Sequence, residues 1–178
     1  MPFGVERRWL AGSPPIVRAL VGGWTLAGIL SIRSGEAVDL RLGADANDDG
    51  DSGDRPALLN GSLDDLYATS GDRTQFLVSR DRALQLLGPA STADPFVVVP
   101  RNALVGPALM FYDVSLRKRT ALGGRFQLAI EINAFNVFNS ANLGAPIATL
   151  SDARFGRIVT TAAGTNPRQL QLGAKVTF

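Results

Sequence analysis

Residues 45–56 read D-A-N-D-D-G-D-S-G-D-R-P. Asp45, Asn47, Asp49, Asp51 and Asp54 set side-chain oxygens at near-alternate positions around Gly50. That chemistry suits Ca²⁺, which takes roughly six to eight oxygen ligands. The opening D-x-N-x-D-G matches the start of an EF-hand loop. The match then stops, because Gly53 holds the ninth position and Pro56 the twelfth, where the motif needs a bidentate Glu. Arg55 and solvent relieve the same like-charge repulsion, so the segment reads either as a solvated loop or as a Ca²⁺ site. Asp64-Asp65, Asp72 and Asp81 offer further carboxylates, with no second group at a catalytic spacing. The chain has neither Cys nor His, which removes disulfides, thiol nucleophiles, imidazole bases and the usual zinc ligands. No enzyme is expected. A net charge of +2 gives no nucleic-acid-binding face.

The elements that must position any site share one pattern. In residues 169–178, Leu170, Leu172, Ala174, Val176 and Phe178 alternate with Gln169, Gln171, Gly173, Lys175 and Thr177. This period of two gives one apolar and one polar face. In residues 125–133, Phe126, Leu128, Ile130 and Ile132 oppose Arg125, Gln127, Glu131 and Asn133. In residues 112–119, Tyr112, Val114 and Leu116 oppose Asp113, Ser115, Arg117 and Arg119. In residues 24–42, Trp24, Leu26, Leu30, Ile32, Val38, Leu40 and Leu42 oppose Thr25, Ser31, Arg33, Asp39 and Arg41. Several runs reach the roughly 9–11 residues of a tilted transmembrane strand, and none reaches the 18 or so apolar residues of a membrane helix. Alternation fits two architectures. A soluble sandwich buries the apolar face, whereas a membrane barrel turns it to lipid and lines its lumen with the charged face. In the barrel, Leu116, Phe126, Leu128, Ile130, Ile132, Leu170 and Leu172 face lipid. Arg117, Gln127, Glu131, Asn133 and Lys175 then face the lumen.

Connection lengths favour the barrel. Residues 120–124 make a short turn, whereas residues 43–108 carry no strand alternation, a length unexpected for a structureless connection inside a compact domain. Outer-membrane barrels pair short periplasmic turns with long extracellular loops. With the C-terminus in the periplasm, residues 168–178 run inward, 124–139 outward, 109–119 inward and 22–42 outward. Residues 140–167 form a second extracellular loop, in which 155–161 are an excursion and not a crossing. Trp9, Trp24 and Phe178 then fall at the periplasmic rim, and Phe111, Tyr112, Phe135 and Phe138 near the outer one, as interfacial aromatics do. Residues 74–87 suggest a short helix with Leu77, Leu84 and Leu87 on one face. Asn136, Asn139 and Asn142 are expected to cap and turn the chain. About five crossings are counted, including a short one at 2–9, too few to close. The expected fold is all-β: an incomplete antiparallel transmembrane β-barrel, about five meandering strands in a curved open sheet, with one long extracellular loop region.

The order of short motifs carries a resemblance. Pro2-Phe3-Gly4, Gly22-Gly23-Trp24-Thr25-Leu26-Ala27-Gly28, Ser34-Gly35, the acidic loop ending in Asp54-Arg55-Pro56, Arg101-Asn102 with Gly106-Pro107, Asp113-Val114-Ser115-Leu116, residues 133–139 (N-A-F-N-V-F-N), Phe155-Gly156 and Pro167-Arg168-Gln169 follow one another in the chain. Together they resemble the late barrel strands of TonB-dependent receptors, in the Oar-like subgroup that carries an N-terminal carboxypeptidase-regulatory-like domain. The resemblance covers nearly all of residues 1–178. It implies a C-terminal barrel part, with 43–108 as an extracellular loop. The plug domain, through which the TonB complex would act, is absent from these residues, and Met1-Pro2-Phe3-Gly4 opens no signal peptide, so an upstream part is expected. Gln171, Gly173, Val176 and Phe178 resemble the C-terminal signal read by the barrel-assembly machinery. The implied function is energised nutrient uptake across the outer membrane of a Gram-negative bacterium, with siderophore, cobalamin, glycan and peptide classes all open. The other reading is a soluble all-β sandwich that binds a ligand.

Overall fold

The computed structural model describes residues 12, 14–90 and 97–178. Among these, the chain folds as helix α1 (Pro15–Val21), strand β1 (Trp24–Arg33), the two-residue strands β2 (Ala37–Val38) and β3 (Ala57–Leu58), a 3₁₀ turn (Leu63–Leu66), helix α2 (Arg80–Leu86), the short strands β4 (Leu87–Gly88) and β5 (Leu104–Val105), and the long strands β6 (Leu109–Gly123), β7 (Phe126–Phe135) and β8 (Gln169–Thr177). Two compact units result, Met1–Ser31 with Met110–Ser140 and Asn166–Phe178, and Ile32–Leu109 with Ala141–Thr165.

The first unit is built on a four-stranded sheet in the order β1-β6-β7-β8. β6 pairs antiparallel with β7, and β7 with β8, in an unbroken register from Phe135↔Gln169 to Gln127↔Thr177. The period-two pattern specifies this register, because a slip of one residue would exchange the two faces. Gly123 and Gly124 both take positive φ, so the β6–β7 hairpin turns tightly, and the register shift between Ala121 and Gly123 leaves Leu122 as a bulge. β1 and β8 are the outer members, and the sheet is open among the described residues. The expected crossing at 2–9 and the rim position of Trp9 lie outside the described residues. The short strands pair outside this sheet, β2 with β5 and β3 with β4.

The alternation predicts one strand over 24–42, but β1 ends at Arg33. At Gly35 a Cβ would collide with the Gly106 carbonyl oxygen, so the chain leaves the strand where it passes against another backbone. Val38 and Leu40, read from the pattern as continuing β1, are 5 % and 1 % exposed and belong to the core of the second unit. Much of that core comes from the long connection 43–108. Leu66, Leu77, Ala83, Leu86, Leu87, Val99 and Leu104 pack with Val38, Leu40, Leu150 and Phe155. Residues 141–165 pack with that connection, since Phe155 is buried in the same cluster as Leu66. Backbone bonds join the two segments: Phe76 and Leu77 N–H donate to the Gly156 carbonyl at 3.0 Å, and Ile158 N–H donates to Thr74 at 2.8 Å. Residues 155–161 pair only through isolated bridges, Gln75↔Arg157 and Leu143↔Thr161, and contribute no strand to the main sheet.

The predicted helix over 74–87 is shorter, at Arg80–Leu86, with Ala83 and Leu86 buried and Leu84 44 % exposed. Ser79 caps it, its hydroxyl accepting from Arg82 N–H. Leu77 and Leu87 are buried from extended backbone on either side of the helix. The face was misassigned because residues before a cap do not follow the helical period.

Candidate functional site

The cross-strand register builds two faces, since side chains alternate along each strand and pair across neighbours. One face carries the rows Val114–Ala134–Leu170, Leu116–Ile132–Leu172, Lys118–Ile130–Ala174 and Thr120–Leu128–Val176, with Phe126 opposite Gly123. The other carries Ser115–Asn133–Gln171, Arg117–Glu131–Gly173, Arg119–Ala129–Lys175 and Ala121–Gln127–Thr177. The sheet thus brings Leu116, Phe126, Leu128, Ile130, Ile132, Leu170 and Leu172 together on the first face. Arg117, Gln127, Glu131, Asn133 and Lys175 share the second.

On the polar face, Arg117 Nη2 and Nε donate to Glu131 Oε2 at 2.8 and 3.0 Å. Arg119 and Lys175 flank this pair around a hollow of about 330 Å³, with Gly173, Ala129 and Ala174 completing its lining. Three cations against one carboxylate make the hollow electropositive. The small Gly173 opposite Glu131 leaves room beside the ion pair, since nothing lies within 4 Å of where its Cβ would be.

Among the described residues the apolar face is not covered. Leu172 is 76 % and Phe178 79 % exposed, and Leu26, Ile130 and Val176 are exposed as well. A sandwich would bury Phe126, Leu128, Ile130, Val176 and Phe178 together under a second layer. Phe126, Ile130, Val176 and Phe178 are instead exposed. Phe178 stands past the end of β8, its ring 6.3 Å from that of Phe126. Gln171, Gly173 and Val176 lie along β8, the last strand of the sheet. Near the other end of β7, Tyr112 and Phe138 meet edge to face at 5.0 Å.

The expected asparagine turns are present. Asn136 and Asn139 take positive φ. The Asn136 amide donates to the Ser140 and Asn166 carbonyls at 3.0 Å and accepts from Ser140 N–H at 2.9 Å. Asn139 Oδ1 accepts from Arg168 N–H at 2.9 Å. Asn142 is buried, and its carbonyl accepts from Ala162 N–H at 3.0 Å.

The acidic loop uses its oxygens on its own backbone. Asp45 accepts from Asp49 and Gly50 N–H, Asn47 from Asp49, Asp49 from Asp51, Asp51 from Gly53, and Asp54 from Ala46, at 2.7–3.2 Å. The Asp51 amide holds the Asp49 carboxyl below the usual aspartate range, with the Asn47 side chain adding to it. Among the described residues no three acidic side chains converge to hold a metal ion. The alternate spacing thus gives a chain of side-chain-to-backbone turns.

One residue of the apolar face escaped the sequence reading. Lys118 sits in the row of Ile130 and Ala174, two residues beyond Leu116. The signal was present in its even position, but Arg117-Lys118-Arg119 reads as one basic run.

The model of one protein family, described as an outer membrane beta barrel domain, matches residues 1–171. No curated protein and no solved structure matches the chain.

Proposed function

The chain belongs to the family of outer-membrane β-barrel domains, and from that premise we propose that it is part of the barrel of a TonB-dependent transporter. The barrel would admit a scarce nutrient of the siderophore, cobalamin, glycan or peptide class across the outer membrane of a Gram-negative bacterium. The observation that carries the reading is the sheet of inverted polarity, with an electropositive polar face and an uncovered apolar one. The apolar face meets outer-membrane lipid, and Arg117, Gln127, Glu131, Asn133 and Lys175 line the lumen. An open sheet exposes unpaired backbone at both edges, which hydrocarbon does not tolerate, so further strands of a larger barrel complete it. The ordered motifs support the transporter subgroup. Gly35 lies against the Gly106 carbonyl, and at Gly156 a Cβ would stand 2.5 Å from the Val78 carbonyl oxygen, so both glycines serve the folded connection between β1 and β6. Phe178 and β8 engage the barrel-assembly machinery, and the TonB complex acts through a plug encoded upstream.

Sequencing the gene upstream of Met1 tests this. An in-frame plug domain with a TonB-contacting segment is the expected result. A start site at Met1, with the product folding as a soluble monomer without detergent, would overturn it in favour of a soluble binding module.

A further inference from the structure

Helix α1 presents an arrangement that the strands alone do not explain. Ile16, Val17, Leu20 and Val21 are exposed, Ile16 at 74 % and Leu20 at 65 %. At 3.6 residues per turn these four fall within an arc of about 140°. A seven-residue helix is far too short to be stable alone in water, and an exposed apolar arc adds nothing there.

What fastens it is Lys118. Its ammonium donates to the carbonyls of Ala19, Leu20 and Gly22 at 2.6, 3.1 and 2.9 Å. An ammonium has three donors, so three acceptors satisfy it without water. They are carbonyls at and just past the C-terminal end of α1, where the last turn leaves acceptors free and the helix dipole is negative. The same ammonium lies 4.8 Å from the Trp24 ring centroid, a cation–π distance. The Trp24 indole in turn donates to Leu20 at 2.9 Å. Arg119 N–H donates to Gly23 at 2.9 Å, which sets Trp24 beside Lys118 where β1 meets β6. The lysine thus points to the apolar face and meets a helix end.

We propose that α1 is an in-plane membrane anchor. It lies in the headgroup–acyl boundary of the phospholipid leaflet on the side of the β6–β7 turn, pinned by Lys118. The occupant of its apolar arc is lipid, because the pin emerges from the face that carries Leu116, Ile132 and Leu172 and so continues the lipid contact of the strands. Short amphipathic helices beside a membrane take up this position, their apolar side chains among the first acyl carbons. An aromatic ring and a lysine at the same level are the usual companions of that depth. The proposal rests on the sheet orientation given above, and the test separates the two.

The chain has no cysteine, so Leu20→Cys, Leu172→Cys and Asp48→Cys each carry a single bimane label. The protein that carries this chain, with any cysteine outside these residues changed to serine, is refolded into phosphatidylethanolamine–phosphatidylglycerol vesicles containing lipids brominated at shallow or deep acyl positions. The label at residue 20 is expected to be quenched most by shallow bromine and shielded from aqueous iodide. The label at 172 is quenched by deep bromine, and that at 48 by iodide alone. Adding Lys118→Gln reduces the shallow quenching at 20 several-fold and leaves the deep quenching at 172 unchanged. A label at 20 as open to iodide as that at 48 would overturn the anchor, as would one shielded from both quenchers, which marks a protein cover. Unchanged quenching at 20 in the Lys118→Gln variant overturns the pin. Loss of bromine quenching at 172 overturns the sheet orientation as well.

Discussion

Leu172 and Gln171 are adjacent on β8 and belong to opposite faces, so exchanging each for Arg asks directly which face meets hydrocarbon. β8 has nine residues from Gln169 to Thr177. At about 3.4 Å per residue it spans roughly 30 Å along the strand, and at a tilt of about 45° roughly 21 Å of height, most of the 25 Å or so of a barrel's apolar band. Leu172 is one residue from the strand centre, about 2–3 Å from mid-height on the same geometry. Its side chain is 76 % exposed, so its replacement forfeits little packing within the sheet. Leu172→Arg therefore isolates the transfer of a cation into lipid, which costs about 2–4 kcal/mol at the midplane. That lowers the folded-to-unfolded ratio roughly 30- to 700-fold. Gln171→Arg adds a cation to a face that already holds Arg117, Arg119 and Lys175, and a solvated charge there costs under about 1 kcal/mol. Urea titration of the protein that carries this chain, refolded into phospholipid vesicles and followed by tryptophan fluorescence, measures both. Equal losses at the two positions would refute the inverted polarity, and a larger loss at Gln171 would reverse the assignment of the faces.

Phe155→Ala removes the ring that joins residues 141–165 to the core of the second unit and should cost that unit about 3–5 kcal/mol. Limited proteolysis should then cut within 43–108 while the strands stay protected. Acid should loosen the same unit. Asp65, Asp72 and Asp152 are held below the ordinary value of 3.8, chiefly by the Ser62 backbone amide, the Thr74 hydroxyl and the Arg154 guanidinium respectively. Depressed carboxyls stabilise the folded state above the unfolded value and lose that contribution as pH falls below it, so amide-exchange protection near these residues should fall below about pH 4, and protection that grew there would contradict the sign. Deleting Phe178 in the protein that carries this chain should lower its outer-membrane level, read by immunoblot of membrane fractions. An unchanged level would remove the assembly signal.

Sequence alone determined the strands and their faces. A period of two is a local property, and it fixes which side chains share a face before any partner is known, because register and pleat leave no other arrangement. β6, β7 and β8 were legible for that reason, as were the turns at Asn136 and Asn139, whereas the turn read at 120–124 is shorter because β6 keeps pairing with β7 through Gly123. In the acidic loop spacing gave the oxygens, and the folded chain adds the backbone amides that bond to them.

Tertiary structure decided what depends on distant residues. Val38 and Leu40 carry the alternation of a strand, yet they leave the sheet because Leu66, Leu77 and Phe155 form a core that buries them. Nothing near residue 40 signals that core. Lys118 reads locally as the middle of a basic run, and its acceptors are carbonyls 96–99 positions earlier in the chain. Periodicity reports which way a side chain points. Only the folded chain supplies what it meets there, because a buried cluster or a three-carbonyl seat is assembled from segments whose separation in sequence carries no local pattern.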